Sequence, residues 1–151
     1  MSIGKPLAHY AAYKRAGDYV FMSGVIAVDP AAQAVVTGYA QIPEAARQEL
    51  AALGYVTGQM SVDVFEAPIV AQSWFVLNRI REMARECGGG MQDVARLVQY
   101  FRDLRHYPDY NRVRGLFFAE PVVSTVVEAS RMLPSDAVLV EVEATLYLPR
   151  S

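Results

Sequence analysis

The amino-acid sequence predicts an α/β (α+β) fold, a mixed sheet with two main helices packed on one of its faces. Three observations carry the prediction. From Val138 onward every second residue is apolar (Val140, Val142, Ala144, Leu146), with Glu141, Glu143 and Thr145 between them, the period of a half-buried strand. Ile69, Ser73, Val76, Leu77, Ile80, Met83 and Ala84 fall on one stripe, the period of an amphipathic helix. Taken in order, the segments read β-β-(β)-α-β-α-β-β, an alternation that sets helices against one face of a sheet.

The first segment is a hairpin over residues 8–28. Two β-rich stretches, His9–Lys14 and Tyr19–Val28, flank the turn Ala16-Gly17-Asp18, and Asp29-Pro30 closes the second stretch. A short strand is expected at Ala34–Thr37. Pro43-Glu44 followed by Ala46 and Leu50 gives a short helix that stops at Gly54. Residues 58–66 show little periodicity and are expected to be loop.

The main helix is expected from Pro68, a residue suited to a first helical turn, to Cys87, where Gly88-Gly89-Gly90 ends it. Asp93–Leu104 is a strand with apolar groups on both faces, as in a central strand covered on both sides. A second helix starts at Pro108, buries Val113, Leu116 and Phe117, and ends before Pro121. Val122–Arg131 and Ala137–Leu148 are the last strands, joined by Leu133-Pro134-Ser135-Asp136. One sheet face is left uncovered, and subunit association is its expected fate.

Composition narrows the function classes. At 151 residues, with 53% hydrophobic and 20% charged residues, the chain suits one globular domain. A net charge of -2 and a pI near 5.7 give no basic footprint, so neither nucleic acid nor an acidic membrane is expected as a partner. The single cysteine, Cys87, rules out an internal disulfide and fits a reducing, cytoplasmic setting. Met1–Tyr10 holds no uninterrupted apolar run of the kind a secretory leader needs, and no apolar run approaches the roughly 20 residues of a bilayer span.

Glu141 and Glu143 carry the sharpest chemical signal. Two carboxylates two residues apart on one strand face repel each other, and partial burial raises at least one pKa, preparing a general acid or a base that holds water. The plainer alternative leaves both in water or paired with arginines. The cluster Phe101-Arg102-Asp103-Leu104-Arg105-His106-Tyr107 is either an anion-binding loop or a solvated connection in which Arg and Asp pair. His9 and His106 are the only histidines and lack ligand spacing, so no metal is expected. Cys87 reads as a packed cysteine at a helix C-terminus, where the dipole disfavours a thiolate. Ser23-Gly24 interrupts a strand, the mark of a bulge or of a ligand's close approach.

Together these stretches resemble the Rid family, also called YjgF-like proteins. Tyr10 and Tyr19-Val20-Phe21-Met22-Ser23-Gly24-Val25-Ile26 are similar to the family's opening, with Val25 and Ala27 in place of the usual Gln and Pro. Gln72 with Leu77-Asn78-Arg79-Ile80, then Phe101-Arg102-Asp103-Leu104, Asn111 and Phe117-Phe118, and finally Leu133-Pro134-Ser135-Asp136 before Val140-Glu141-Val142-Glu143-Ala144, follow in the family's order. The resemblance spans most of the chain except about residues 39–66, which read as an insertion within a single domain of residues 1–151.

That resemblance implies a chorismate-mutase-like fold, a homotrimer closed around a central barrel, and ligand clefts between subunits. It implies hydrolysis of reactive enamines or imines to ammonia and a 2-keto acid, with no cofactor. The cleft would contain Tyr10, Ser23, Gly24, Asn111, Val123 and Thr125 as binding residues and Glu141 as the catalytic holder of water. Val123 departs from the pattern: the deaminases of the family carry arginine there, whose planar fork pairs both oxygens of a carboxylate. Arg112, Arg114 and Arg131 are the substitutes the sequence offers. The alternative implied by Val123 is a trimer that binds a neutral metabolite without chemistry. Endoribonuclease activity, another label of the family, fits poorly with the acidic pI.

Overall fold

The computed structural model describes residues 8–150. Residues 1–7, most of the stretch read above for a leader, and Ser151 lie outside the described residues. The chain runs β1 (Tyr13–Ala16), β2 (Tyr19–Met22), β3 (Val25–Ile26), β4 (Val28–Asp29), β5 (Ala34–Val35), α1 (Glu44–Ala52), α2 (Met60–Glu86), β6 (Val94–Phe101), α3 (Tyr107–Arg114), β7 (Ser124–Glu128) and β8 (Val140–Tyr147).

The main sheet has the order β1-β2-β8-β6-β7, with β3 also pairing β8, while β4 and β5 form a separate two-stranded ribbon. Among the described strands only β6 and β7 pair in parallel; the connection between them carries α3, as a parallel crossover requires. The sheet is therefore mixed, as the sequence predicts. The opening hairpin turns at Gly17, whose φ of +61° is a left-handed conformation open to glycine at no steric cost. Its second arm breaks at Ser23-Gly24, so the predicted stretch Tyr19–Val28 is three short strands rather than one.

The core lies between the sheet and the helices. Val138, Val140, Val142, Ala144 and Leu146 are all buried, matching the alternation read from the sequence, and Leu97, Gln99 and Phe101 extend the same face through β6. Every member of the predicted α2 stripe is buried against them. Each such aliphatic side chain removed from water contributes about 1.5–3 kcal/mol before entropy is counted. In β6 the other face is not covered: Arg96 is exposed, and Val98 and Tyr100 are half-buried. The expectation of a strand enclosed on both sides is corrected by this. The apolar groups on its second face belong to an open sheet surface that also carries Tyr19, Phe21, Tyr147 and Val127.

The start of α2 is the second correction. Residues 60–67 are helix, not loop, and Pro68 lies inside it. A proline there removes one donor and crowds the carbonyl of Val64. The turn is held instead from its end: the Asp63 carboxylate accepts from the Thr57 amide, the Thr57 hydroxyl and the Gly58 amide at 2.8–3.2 Å. These bonds also hold the Asp63 carboxyl below its ordinary pKa. Val64 is exposed, so solvent serves the carbonyl that Pro68 leaves without a donor.

With 27 residues, α2 is long and apolar enough to pass a length-and-composition test for a bilayer span. Its apolarity is accounted for by the core, since Ile69, Val70, Val76, Leu77 and Ile80 are buried against the sheet and its neighbours. The segment read as an insertion, residues 39–66, contains α1, whose Ala46 and Leu50 join the same core, and the first turns of α2.

Candidate functional site

β8 brings the first group of site residues together. Its inward valines fix which way Glu141 points, and the buried Gln72 of α2 fixes where the strand begins. Gln72 donates from Nε2 to the Ala137 carbonyl (2.8 Å) and accepts from the Leu139 amide (2.9 Å). Glu141 follows two residues later on the open face, beside Ile26 of β3 and Tyr100 of β6.

Gly24 packs directly on this carboxylate. A β-carbon built at Gly24 would lie 2.1 Å from Glu141 Oε2, so no larger residue fits while the carboxylate stays in place. Ser23 serves as a tether. Its amide donates to the Ala12 carbonyl (3.0 Å) and its hydroxyl to the Ala11 carbonyl (2.6 Å), drawing the segment just after Tyr10 against the strand break. Tyr10 itself is exposed. Ser23, Gly24 and Glu141 thus form one group, with Tyr10 next in sequence to the segment that Ser23 holds.

The two acidic residues are not equivalent. Tyr100 donates its hydroxyl to Glu143 Oε1 at 2.8 Å, and this bond is the main cause of the raised Tyr100 pKa. Among the described residues no donor reaches Glu141. Burial, and then the neighbouring charge of Glu143, push its carboxyl above the ordinary glutamate value. A half-buried carboxylate without a partner retains its lone pairs for a water or a substrate proton.

Asn111, Thr125 and Val123 make up a second, looser group: a buried glutamine that sequence reasoning missed links Asn111, through Arg114, to the Thr125 main chain, and Val123 lies two residues before Thr125. Gln99 donates from Nε2 to the Thr125 carbonyl (3.1 Å) while its Oε1 accepts from Tyr110 (2.7 Å) and from Arg114 (2.6 Å). Arg114 also donates to Asn111 Oδ1 (2.7 Å) and to the Tyr107 hydroxyl (3.0 Å). The hydroxyl of Thr125 faces the open side of the sheet, where Arg96 donates to it at 3.3 Å. Val123 is 67% exposed.

The two groups do not meet within one chain. In the register, Glu141 pairs with Tyr100, whereas Thr125 pairs with Val98, across β6 and two residues along. At about 3.3 Å per residue and about 4.8 Å per strand, Thr125 lies roughly 12 Å from Glu141 and Val123 roughly 16 Å away.

The remaining candidates are plainer. Asp103 accepts from Arg105 through both carboxylate oxygens at the protein surface, and this pairing lowers its pKa, so the Asp–Arg pair of the Phe101–Tyr107 cluster is solvated, whereas Phe101 and Tyr107 pack into the core. Burial raises the Cys87 thiol, the reading given to it from sequence. Among the described residues no group of three His, Cys, Asp or Glu side chains is arranged to hold a metal.

Comparison with known proteins follows the same lines. A family model described as Endoribonuclease L-PSP matches residues 50–148. A RutC family protein of Pyrococcus abyssi is 28% identical over 144 residues, covering 95% of this chain and 89% of that protein. A structure from Klebsiella pneumoniae, described as a candidate endoribonuclease, has 51% identity and a TM-score of 0.88, covering 93% of this chain and all of that one. RidA from an Antarctic Psychrobacter superposes with a TM-score of 0.67 at 19% identity over 96% of this chain and 93% of its own, a likeness of fold. The strand order, the family model and these relatives agree, and the chain belongs to the Endoribonuclease L-PSP family, the YjgF-like or Rid proteins.

Proposed function

We propose that the protein hydrolyses the C=N bond of small, reactive enamines or imines, with Glu141 positioning the attacking water. The observation that carries the reading is the Glu141 carboxylate: half-buried, without a partner among the described residues, raised in pKa by burial, and set against the bare α-carbon of Gly24. Ionised, it accepts a proton from water as the oxygen attacks the imine carbon. The proton passes to nitrogen, giving a carbinolamine; its hydroxyl proton then moves to nitrogen as C=O forms, the C–N bond breaks and ammonia leaves. None of these steps requires a cofactor.

The reading includes a homotrimer in which the first group of one subunit faces the second group of its neighbour. Two features support it: the roughly 12–16 Å between the groups within one chain, and the apolar side chains on the open sheet face. Tyr10 and Asn111 would then orient the ligand from opposite sides, with the Thr125 hydroxyl and the strand break at Ser23-Gly24 lining the cleft. The single cysteine supports a reducing compartment. Ammonia release from freshly generated imines, with Glu141→Gln as the comparison, tests the proposal.

Val123 favours a second reading, a trimer that binds a neutral metabolite without turning it over. Its exposed isopropyl group makes that wall of the cleft apolar. Thermal-shift screening separates the two, since a ligand held tightly by the folded state raises its melting temperature. Neutral ligands stabilising the protein more than carboxylates, with no ammonia released, would favour this reading.

A further inference from the structure

We infer that Tyr100 is a positioning residue for Glu141 and acts on it through Glu143. The assignment rests on the reading of Glu141 as the group that holds water. It begins with a choice that strand pairing leaves open. Tyr100 stands directly opposite Glu141 on the open face, and Glu143 comes next along that face of β8, opposite Val98. Side chains directly opposed on antiparallel strands have β-carbons about 4.5–5.5 Å apart, and diagonal neighbours about 7–8 Å, so a phenol here can reach either carboxylate. Its one hydroxyl proton serves a single acceptor.

The bond goes to the diagonal neighbour. The Tyr100 hydroxyl donates to Glu143 Oε1 at 2.8 Å. The reason lies on the other side of β8. Glu141 Oε2 sits over Gly24, at the strand break that leads into β3, and β3 pairs with β8 along the edge opposite to β6. The carboxylate is thus turned away from Tyr100, and the phenol lies along the strand toward Glu143. Tyr100 thereby decides which of the two carboxylates stays free and where the charge of the other is held.

That charge matters because like charges so placed oppose each other's ionisation. The Glu143 carboxylate is the second cause, after burial, of the raised Glu141 pKa. The same hydrogen bond raises the Tyr100 pKa, so the phenol keeps its proton, and the bond, through the neutral range. The other charged or titratable groups of this face point elsewhere. Arg96 of β6 donates to Thr125 on β7, and among the described residues it makes no ion pair with Glu143. Lys14 belongs to β1 at the far edge, and Tyr19 of β2 packs on Tyr147 at the far end of β8. The flanking residues of β3 and β7 are Ile26, Thr125 and Val127, none of them charged.

The test follows the Glu141 carboxyl by carbon NMR in the intact protein, labelled at the glutamate side-chain carboxyl and assigned with Glu141→Gln. Glu143→Gln removes the charge and keeps an oxygen for the phenol, so the Glu141 midpoint should move to lower pH. Tyr100→Phe keeps the ring and releases Glu143, which turns into water away from its like-charged neighbour. The midpoint should move the same way, by less. In the double variant, Tyr100→Phe should add nothing to Glu143→Gln, as expected of a residue that acts only through another. A Glu141 midpoint unmoved or raised in folded Tyr100→Phe overturns the assignment, as does a Tyr100→Phe shift that persists in full beside Glu143→Gln. Because the readout is a titration, it is separate from turnover: absence of ammonia release would sink the proposed reaction and leave this ordering standing. Where ammonia is released, the acid limb of kcat should follow the same order.

Discussion

The Glu141 carboxylate rests on the α-carbon of Gly24, so closely that a β-carbon there would fall 2.1 Å from Oε2 and 2.9 Å from Cδ. The glycine is not required by its backbone, since its φ lies outside the left-handed region. What requires it is the space taken by the carboxylate.

Gly24→Ala should therefore displace Glu141 and leave the fold intact. A shift of about 1 Å in a catalytic group lowers rate by up to about 100-fold. We expect a tenfold or greater loss of kcat for ammonia release, with a melting temperature within a few degrees of wild type, read by differential scanning fluorimetry. Unchanged kcat in a folded Gly24→Ala protein would remove Glu141 from the chemistry.

The separation of the two groups predicts complementation between subunits. Glu141→Gln damages one group, and Thr125→Phe blocks the other at an exposed edge-strand position. Each variant alone should be inactive. Dissociated, mixed in equal amounts and reassembled, they should recover up to about a quarter of wild-type activity, the share of interfaces that pair two intact groups in a cyclic oligomer. No recovery from mixed oligomers, confirmed by mass spectrometry, would argue for a site within one chain.

Gln72 joins α2 to the start of β8 through two hydrogen bonds, and it is buried. Gln72→Leu keeps the volume and removes both partners from the strand. Equilibrium urea unfolding should show a loss of about 2 kcal/mol, the cost of stranding part-buried main-chain groups. A loss below about 0.5 kcal/mol would mean that the valines of β8 set its position unaided.

Much of this architecture is legible in the sequence because it rests on local periodicity. The stripe from Ile69 to Ala84 and the alternation from Val138 to Leu146 specify both their elements and their buried faces, and with them the outward direction of Glu141. What periodicity cannot supply is the partner across a strand pair. Tyr100 shares parity with Arg96 and Val98, but only the antiparallel register with β8 sets it beside Glu141. Gln99 looks like one more polar residue in an apolar strand until Tyr110, Arg114 and the Thr125 carbonyl surround it. The beginning of α2 was hidden for a different reason. Pro68 is a strong local signal for a helix start, and the capping by Asp63 that overrides it depends on a turn formed by Thr57 and Gly58. The open sheet face misled in its own way, since apolar side chains on both sides of β6 read as two-sided burial within one chain.

The account is tested most directly by steady-state ammonia release from freshly generated imines, followed against pH for wild type and Glu141→Gln. If Glu141 must be ionised to hold the water, kcat should fall as pH drops through a value above that of an ordinary glutamate, the direction in which burial and Glu143 move it. Linkage runs the same way. A carboxyl whose folded pKa is raised is a cost to the fold above that pKa, and the cost disappears as it protonates. Glu141→Gln should therefore melt higher than wild type near pH 8, and the gap should narrow on acidification. The result expected is a wild-type rate well above the uncatalysed one, an acid limb displaced upward, and a loss of at least about 100-fold in Glu141→Gln. A wild-type rate no greater than the uncatalysed one across a varied imine panel, or a Glu141→Gln protein as active as wild type, would contradict it.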